Sequence, residues 1–244
     1  MIDAISAAVA RHRRPILVTG LLVAGGNAAA MGYAPDVARA SSLPLLLLAL
    51  TFLLLAIISI GKRSAALVVL PRSAAFASPV PAWRVLLTLG LLGQSSATVG
   101  AYLRSTEAGI ATTFDVLVSL PWLVLIGLLV AAAWSGHSVR LSPDGVRTTG
   151  LLGSRMIPWE AEPRVEASSN DMQSRLRLPL TLGNPTLVRR RGVVGRPAMP
   201  VDSVQPRFLA SAIDHYVAHP GHRAAIGTPD EYRRLVAHLH GTAG

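Results

Sequence analysis

The chain is predicted to be a helical membrane protein with four transmembrane spans and a cytoplasmic α+β domain. Three observations predict this. Hydrophobic side chains make up 51% of the 244 residues and charged ones only 15%, against about 25% charged in an ordinary soluble domain. Four long apolar stretches without a charged residue lie at 15–35, 40–61, 85–103 and 116–136. From His137 onward charges recur every few positions, and short runs bounded by turn residues replace the long ones.

Each apolar stretch meets the length needed to span a bilayer. A helix rises about 1.5 Å per residue, so about 20 residues cross a hydrocarbon core of roughly 30 Å. Lipid supplies no partner for backbone amides, so a spanning segment makes its hydrogen bonds internally as a helix. The second stretch is the most apolar, with Leu45 to Leu48 and Leu53 to Leu55. The first contains Gly20, Gly25, Gly26 and Asn27. A basic start gives it some likeness to a secretory signal, but its run exceeds the usual 7–15 residues of such a signal.

Arginine and lysine set the expected orientation. Arg11, Arg13 and Arg14 precede the first span, and Lys62, Arg63, Arg72 and Arg84 lie between the second and third. The other two loops hold Arg39 and Arg104 beside Asp36, Glu107 and Asp115. The positive-inside rule then places both termini in the cytoplasm of a multi-pass plasma-membrane protein. Arg140 and Arg147, after the fourth span, agree with that side. The interior loop 62–84 is Pro-rich, and its apolar piece Ala65–Leu70 is suited either to the membrane surface or to packing on the cytoplasmic domain.

Within the spans the polar residues are Asn27 in the first and Gln94, Ser95 and Ser96 in the third. Interhelical hydrogen bonding at small-residue contacts, such as Gly26 with Ala30 or Gly90 with Gln94, is the expected role. A polar pathway for a solute is the rival. No acidic, basic or histidine side chain lies in a span core, so no proton relay or ion site is expected.

The second half reads as strands followed by helices. Ser138–Leu141, Val146–Thr149, Arg155–Trp159, Arg164–Ala167, 175–178, 186–191 and Pro197–Val201 are strand candidates. A Ser142-Pro143-Asp144-Gly145 turn joins the first two. Phe208, Leu209, Ala212, Ile213, Tyr216 and Val217 form one face of a helix over Pro206–Ala218. Thr228-Pro229-Asp230-Glu231 has the form of a capping box before a last helix carrying Tyr232, Leu235, Val236 and Leu239. Seven short strands before two helices is the α+β order.

The stretch from Val139 to Val146, and then Gly150, Gly153, Arg155, Ile157, Pro158, Trp159 and Glu160 at their spacing, resembles the first strands of bacterial membrane-anchored pleckstrin-homology-like (PH-like) domains. The segment from Gln205 to Thr228 is similar to the tail of such proteins. The resemblance covers roughly residues 137–240. It implies an antiparallel barrel or sandwich closed by C-terminal helices. Its motifs are structural, so it implies no activity.

Few residues carry chemistry. The 23 basic residues outnumber 13 acidic ones for a net charge of +10, and no cysteine is present. Disulfides, thiolate metal sites and cysteine nucleophiles are thereby excluded. His215, His219 and His222 have partial metal-ligand spacing, but no glutamate follows His215 as in a zincin helix. They read as helix-end or surface histidines, and His238 and His240 as solvated, so no metal, cofactor or catalytic residue is expected. Gly150-x-x-Gly153 and Gly192-x-x-Gly195 are turn glycines rather than phosphate loops. Ser168 and Ser169 lack a neighbouring base, and Glu160, Glu162 and Glu166 read as solvated. No basic stripe interleaved with aromatics suggests nucleic acid. The candidate site is a basic patch of Arg189, Arg190, Arg191 and Arg196, with Arg175 and Arg177 on a neighbouring strand. It suits anionic lipid headgroups or an acidic protein partner, each basic residue contributing on the order of 1 kcal/mol at an anionic surface. A solvated surface is the plain alternative for this cluster. The expected function is therefore a membrane-anchored binding or scaffold module. A small transporter or channel component with a regulatory domain, or a membrane enzyme, stands as the alternative.

Overall fold

The computed structural model describes residues 8–9, 12–60, 66–109, 113–135, 138–150, 153–165, 177–193, 198–201 and 203–241. The chain divides into two compact units, one of residues 1–61 and 81–136 and the other of residues 62–80 and 137–244.

The first unit is helical: α1 (Arg13–Tyr33), α2 (Pro35–Ile60), α3 (Ala82–Glu107) and α4 (Thr113–Ser135). Helix α3 packs against each of the other three. Close approach depends on missing side chains. A Cβ on Gly100 would stand 2.4 Å from Met31 Cβ, and one on Gly90 would stand 2.6 Å from Leu53. Gly26, expected at a helix contact, meets nothing within 4 Å and faces outward. Of the polar residues, Asn27, Ser95 and Ser96 are buried in packing as expected, whereas Gln94, expected at a contact with Gly90, is exposed. Asn27 donates to Ser96 Oγ at 2.8 Å and accepts from Ser41 at 3.1 Å. Ser95 hydroxyl donates to the carbonyl of Leu91 in its own helix. Large apolar side chains such as Leu22, Leu47, Leu54, Ile57 and Leu117 stand exposed on the outer faces. A surface of this kind suits lipid rather than water.

Among the described residues, three helical segments are long and apolar enough to cross a membrane: Arg13–Tyr33, Ala40–Ile60 and Ala82–Thr106. Helix α4 has Asp115 in its first turn, and its apolar part, Ser119–Ser135, is shorter than these three.

Among its described residues the second unit holds nine short strands, all antiparallel: β1 (Val68–Leu70), β2 (Ala75–Ala77), β3 (Val139–Ser142), β4 (Gly145–Thr149), β5 (Gly153–Pro158), β6 (Pro163–Val165), β7 (Arg177–Leu182), β8 (Arg189–Gly192) and β9 (Ala198–Pro200). One sheet runs β1-β2-β3-β4-β5-β8 and a second runs β6-β7-β9. Helices α5 (Pro206–Ala218) and α6 (Pro229–Gly241) follow, with a 3-10 turn over Pro220–Ala225 between them. Side chains from both sheets and both helices, among them Leu141, Ile157, Trp159, Leu178, Met199, Leu209, Ile213 and Leu235, share one buried core.

The seven expected strands and both helices are present, but Thr186 and Leu187 form a 3-10 turn, so that strand starts only at Arg189, and the expected strand residues 166–167, 175–176 and 197 lie outside the described residues. The loop between the second and third apolar stretches adds a hairpin. Its β2 pairs with β3, setting Phe76 opposite Leu141 and Ala77 opposite Arg140. Phe76 is fully buried in the core, and Leu67 N–H donates to the Tyr232 hydroxyl at 3.0 Å. Of the two roles open to Ala65–Leu70, its described residues take the packed one. Residues 62–80 thus join 137–244 in one unit.

Candidate functional site

Strand β8 places Arg189, Arg190 and Arg191 side by side, all exposed, at the end of the six-stranded sheet. Three successive arginines sit poorly inside a sheet, where alternate residues face a core, and an outer strand relieves that conflict. Its partner is β5, with Ser154 opposite Arg191, Arg155 opposite Arg190 and Met156 opposite Arg189. Arg155 is only 2% exposed. Burial, and then the charge of Arg190, push its pKa below the ordinary arginine value. Like charges opposed across two strands cost stability, a cost that an anion bound beside them would offset.

The rest of the expected patch divides. Arg177 opens β7, which pairs with β6 and β9 rather than with β8, so it does not lie on the strand beside the triplet. The returning chain after β7 enters the first sheet alongside β5, and this takes the triplet away from β7. Arg175 and Arg196 lie outside the described residues, as do Glu166, Ser168 and Ser169. The arginine that faces the triplet is Arg155, which the sequence reading used only as a fold signature. Its signal was its phase: Arg155 and Ile157 alternate onto one buried face of β5.

A second cluster forms where α5, the 220–225 turn and α6 meet. His215 is 6% exposed and its Nε2 lies 3.1 Å from His222 Nδ1. Its ring lies 4.6 Å from that of His219 and 4.7 Å from that of His238. His219 fits the helix-end reading, since its Nδ1 lies 2.9 Å from the His215 carbonyl oxygen at the end of α5. His215 also lies in the last turn of α5, but it is buried rather than at the surface, and among the described residues its Nδ1 has no hydrogen-bond partner. His238 is exposed, as expected, yet its ring joins the cluster because α6 packs on α5; the side chain of His240 lies outside the described residues. Glu231, also expected to be no more than a cap, is 1% exposed. It receives the Tyr216 hydroxyl at 3.3 Å and Arg234 Nη1 at 2.8 Å. One arm of the expected capping box forms, with Glu231 N–H donating to Thr228 Oγ1 at 3.3 Å, while the Thr228 N–H goes to the Ala225 carbonyl at 3.1 Å rather than to the Glu231 carboxylate.

Burial first, then the neighbouring His219, His238 and His222, pushes the His215 pKa down to about 4 from 6.5. The folded state therefore holds it neutral while the unfolded chain protonates it. Its contribution to stability is whole above pH 6.5, shrinks as pH falls toward 4 and is flat below that. A shift of this size corresponds to at most about 3 kcal/mol. In metal-free full-length protein, protection of the α5 amides from hydrogen exchange should fall across that window. His215→Gln should flatten the slope, and an unchanged slope would refute the assignment.

Between α1, α2 and α3 a cavity of about 340 Å³ is lined mainly by apolar side chains, including Ile16, Val23, Leu45, Phe52 and Leu89. Thr19 and Ser96 are its hydroxyl groups. Such a lining suits acyl chains rather than a polar solute. Comparison with protein-family models, curated proteins and solved structures finds no match for this chain.

Proposed function

We propose that the protein is a multi-pass plasma-membrane protein with four spans and both termini cytoplasmic, whose second unit is a PH-like module that binds anionic lipid headgroups through β8. The observation that carries this reading is the row Arg189, Arg190 and Arg191, exposed on a terminal strand and opposed by a buried arginine. The chain passes between the two units three times, near residues 61, 80 and 136. A module tethered three times to membrane helices needs little additional energy to hold one orientation against headgroups. Three arginines at about 1 kcal/mol each favour it by roughly a hundredfold. An acidic protein surface would meet the same chemistry, but its binding would not depend on lipid charge.

The absence of cysteine makes the test direct, because a single introduced thiol labels uniquely. Val193, 77% exposed, adjoins β8. In full-length Val193→Cys protein, maleimide labelling should slow at least roughly tenfold in phosphatidylglycerol-containing nanodiscs relative to pure phosphatidylcholine. High salt should erase the difference, since the Debye length falls to about 3 Å at 1 M. Replacing Arg189, Arg190 and Arg191 by glutamine should erase it too. In sealed vesicles, Ser73→Cys should label only from the cytoplasmic side and Thr106→Cys only from the other. Equal labelling of Val193→Cys in both lipids at low salt refutes headgroup binding, and same-side labelling of Ser73→Cys and Thr106→Cys refutes the topology.

A further inference from the structure

We propose that His215, His222 and Glu231 form a binding site for a divalent transition-metal ion of the zinc type, held by two imidazoles and one carboxylate. A ring nitrogen of each histidine and a carboxylate oxygen of Glu231 all lie within 4.8 Å of one another. Tetrahedral zinc with ligand nitrogens at about 2.0–2.1 Å sets neighbouring nitrogens about 3.3 Å apart. His215 Nε2 and His222 Nδ1 are 3.1 Å apart. The set therefore contracts onto an ion with small movements of side chains.

The surroundings distinguish this cluster from histidines that merely pack. A buried structural imidazole ordinarily anchors a nitrogen on a carbonyl or carboxylate. His219 is placed to do so, on the His215 carbonyl oxygen. Among the described residues, His215 Nε2 meets only another imidazole, and its Nδ1 is buried without a hydrogen-bond partner. The carboxylate is held as an outer shell holds a ligand. Tyr216 donates to Oε1 and Arg234 to Oε2. Each carboxylate oxygen has two lone pairs, so Oε1 keeps one for an ion. Tyr216 is itself fully buried and the Thr228 cap fixes the first turn of α6, so Glu231 has little freedom to swing away. His222 is half-buried and His219 and His238 are exposed beside it, which leaves an approach from solvent. Imidazole with carboxylate, and no thiolate anywhere in the chain, selects zinc-like ions over soft ones. Three protein ligands leave a fourth position for water or a flanking imidazole. The site is independent of the arginines on β8.

Full-length protein without a histidine tag, stripped with chelator, is titrated with Co(II) as a spectroscopic probe. One equivalent should bind with visible ligand-field bands, and Zn(II) should displace it. His222→Gln and Glu231→Gln should each weaken binding by at least roughly a hundredfold, at or beyond the 10–100-fold typical of losing an outer-shell partner. His222 sits half-buried on the 220–225 turn, so its loss opens no core cavity, and α5 amide protection checks that the fold persists. Asp230→Asn, one residue away and outside the three-ligand set, should leave the affinity unchanged. Absence of ligand-field bands, or binding that survives both ligand substitutions, overturns the site.

Discussion

Gly227→Ala is expected to destabilise the second unit by about 3 kcal/mol or more while leaving the helical unit intact. Gly227 has φ +94, a backbone region that an alanine enters only under strain. A Cβ there would stand 2.4 Å from both the Ala74 carbonyl carbon and the Ala75 nitrogen. Those are backbone atoms of the hairpin turn, and the turn has no flexible side chain to move aside. Ala74 is itself left-handed, at φ 41, so it is already committed to its conformation. The substitution therefore separates the β1–β2 hairpin from the loop before α6. With that contact go the bond from Leu67 N–H to the Tyr232 hydroxyl and the packing of Phe76 on Tyr232, whose rings lie 5.4 Å apart. Hydrogen exchange should quicken at β2 and β3 with α1–α4 unchanged. Gly221→Ala is the matched control, because a Cβ there meets nothing within 4 Å. It should shift stability by no more than about 0.5 kcal/mol. Equal effects of the two substitutions would show that the hairpin is not held at Gly227.

The same hairpin carries little local signal in the sequence. The long helices of the first unit were legible because lipid imposes both length and absence of charge, two signals that survive without any partner. The strands after residue 138 were legible because turn residues bound them, as Pro143, Asp144 and Gly145 do between β3 and β4. Strands β1 and β2 have three residues each, too few to show a period of two. The partner of β2, β3, lies about sixty positions further on, beyond helices α3 and α4. Ser78 N–H donates to the Val139 carbonyl at 2.9 Å, a pairing with no local trace in the sequence. What remained readable was the apolar run Ala65–Leu70, and that alone suits a bilayer surface as well as a sheet.

Both candidate sites were legible in part for the same reason. Arg189, Arg190 and Arg191 are consecutive, so any fold leaves them together. The reach of Arg177 and the approach of Arg155 depended on which strand pairs with β8, a matter of register rather than composition. Among the histidines, His215, His219 and His222 are spaced within two helical turns. His238 comes from the next helix and arrives only because α5 and α6 pack. The capping pattern at Glu231 signals only its N–H bond to Thr228, whereas the same turn also buries its carboxylate against Tyr216, a contact with no local trace in the sequence.

Trp159→Ala should be the most damaging single truncation in the second unit, at about 3–5 kcal/mol. Trp159 is 2% exposed in the shared core and packs on Tyr216 at 5.9 Å between ring centres. Its indole N–H donates to the Ser142 carbonyl at 2.9 Å, tying the turn after β5 to the β3–β4 turn. Above the ring, at 5.5 Å, lies the guanidinium of Arg223. Arg223 in turn donates to the carbonyls of Tyr216 at 2.7 Å and Val217 at 3.2 Å, closing the last turn of α5. Removing the indole thus opens a cavity, orphans a carbonyl and takes away the surface on which Arg223 rests. Arg223 is the immediate neighbour of His222, so the 220–225 turn should loosen, and Co(II) affinity should fall along with stability. Trp159→Phe separates the effects. It keeps most of the buried ring and loses the Ser142 bond, at a cost of about 1–2 kcal/mol, with the Arg223 contact and the metal affinity retained. Pulse proteolysis of the full chain in detergent reads the stability and Co(II) titration reads the site. Equal stability of the alanine and phenylalanine variants would mean that the core does not depend on this ring. A loss of Co(II) affinity in the phenylalanine variant would mean that Arg223 does not hold the turn.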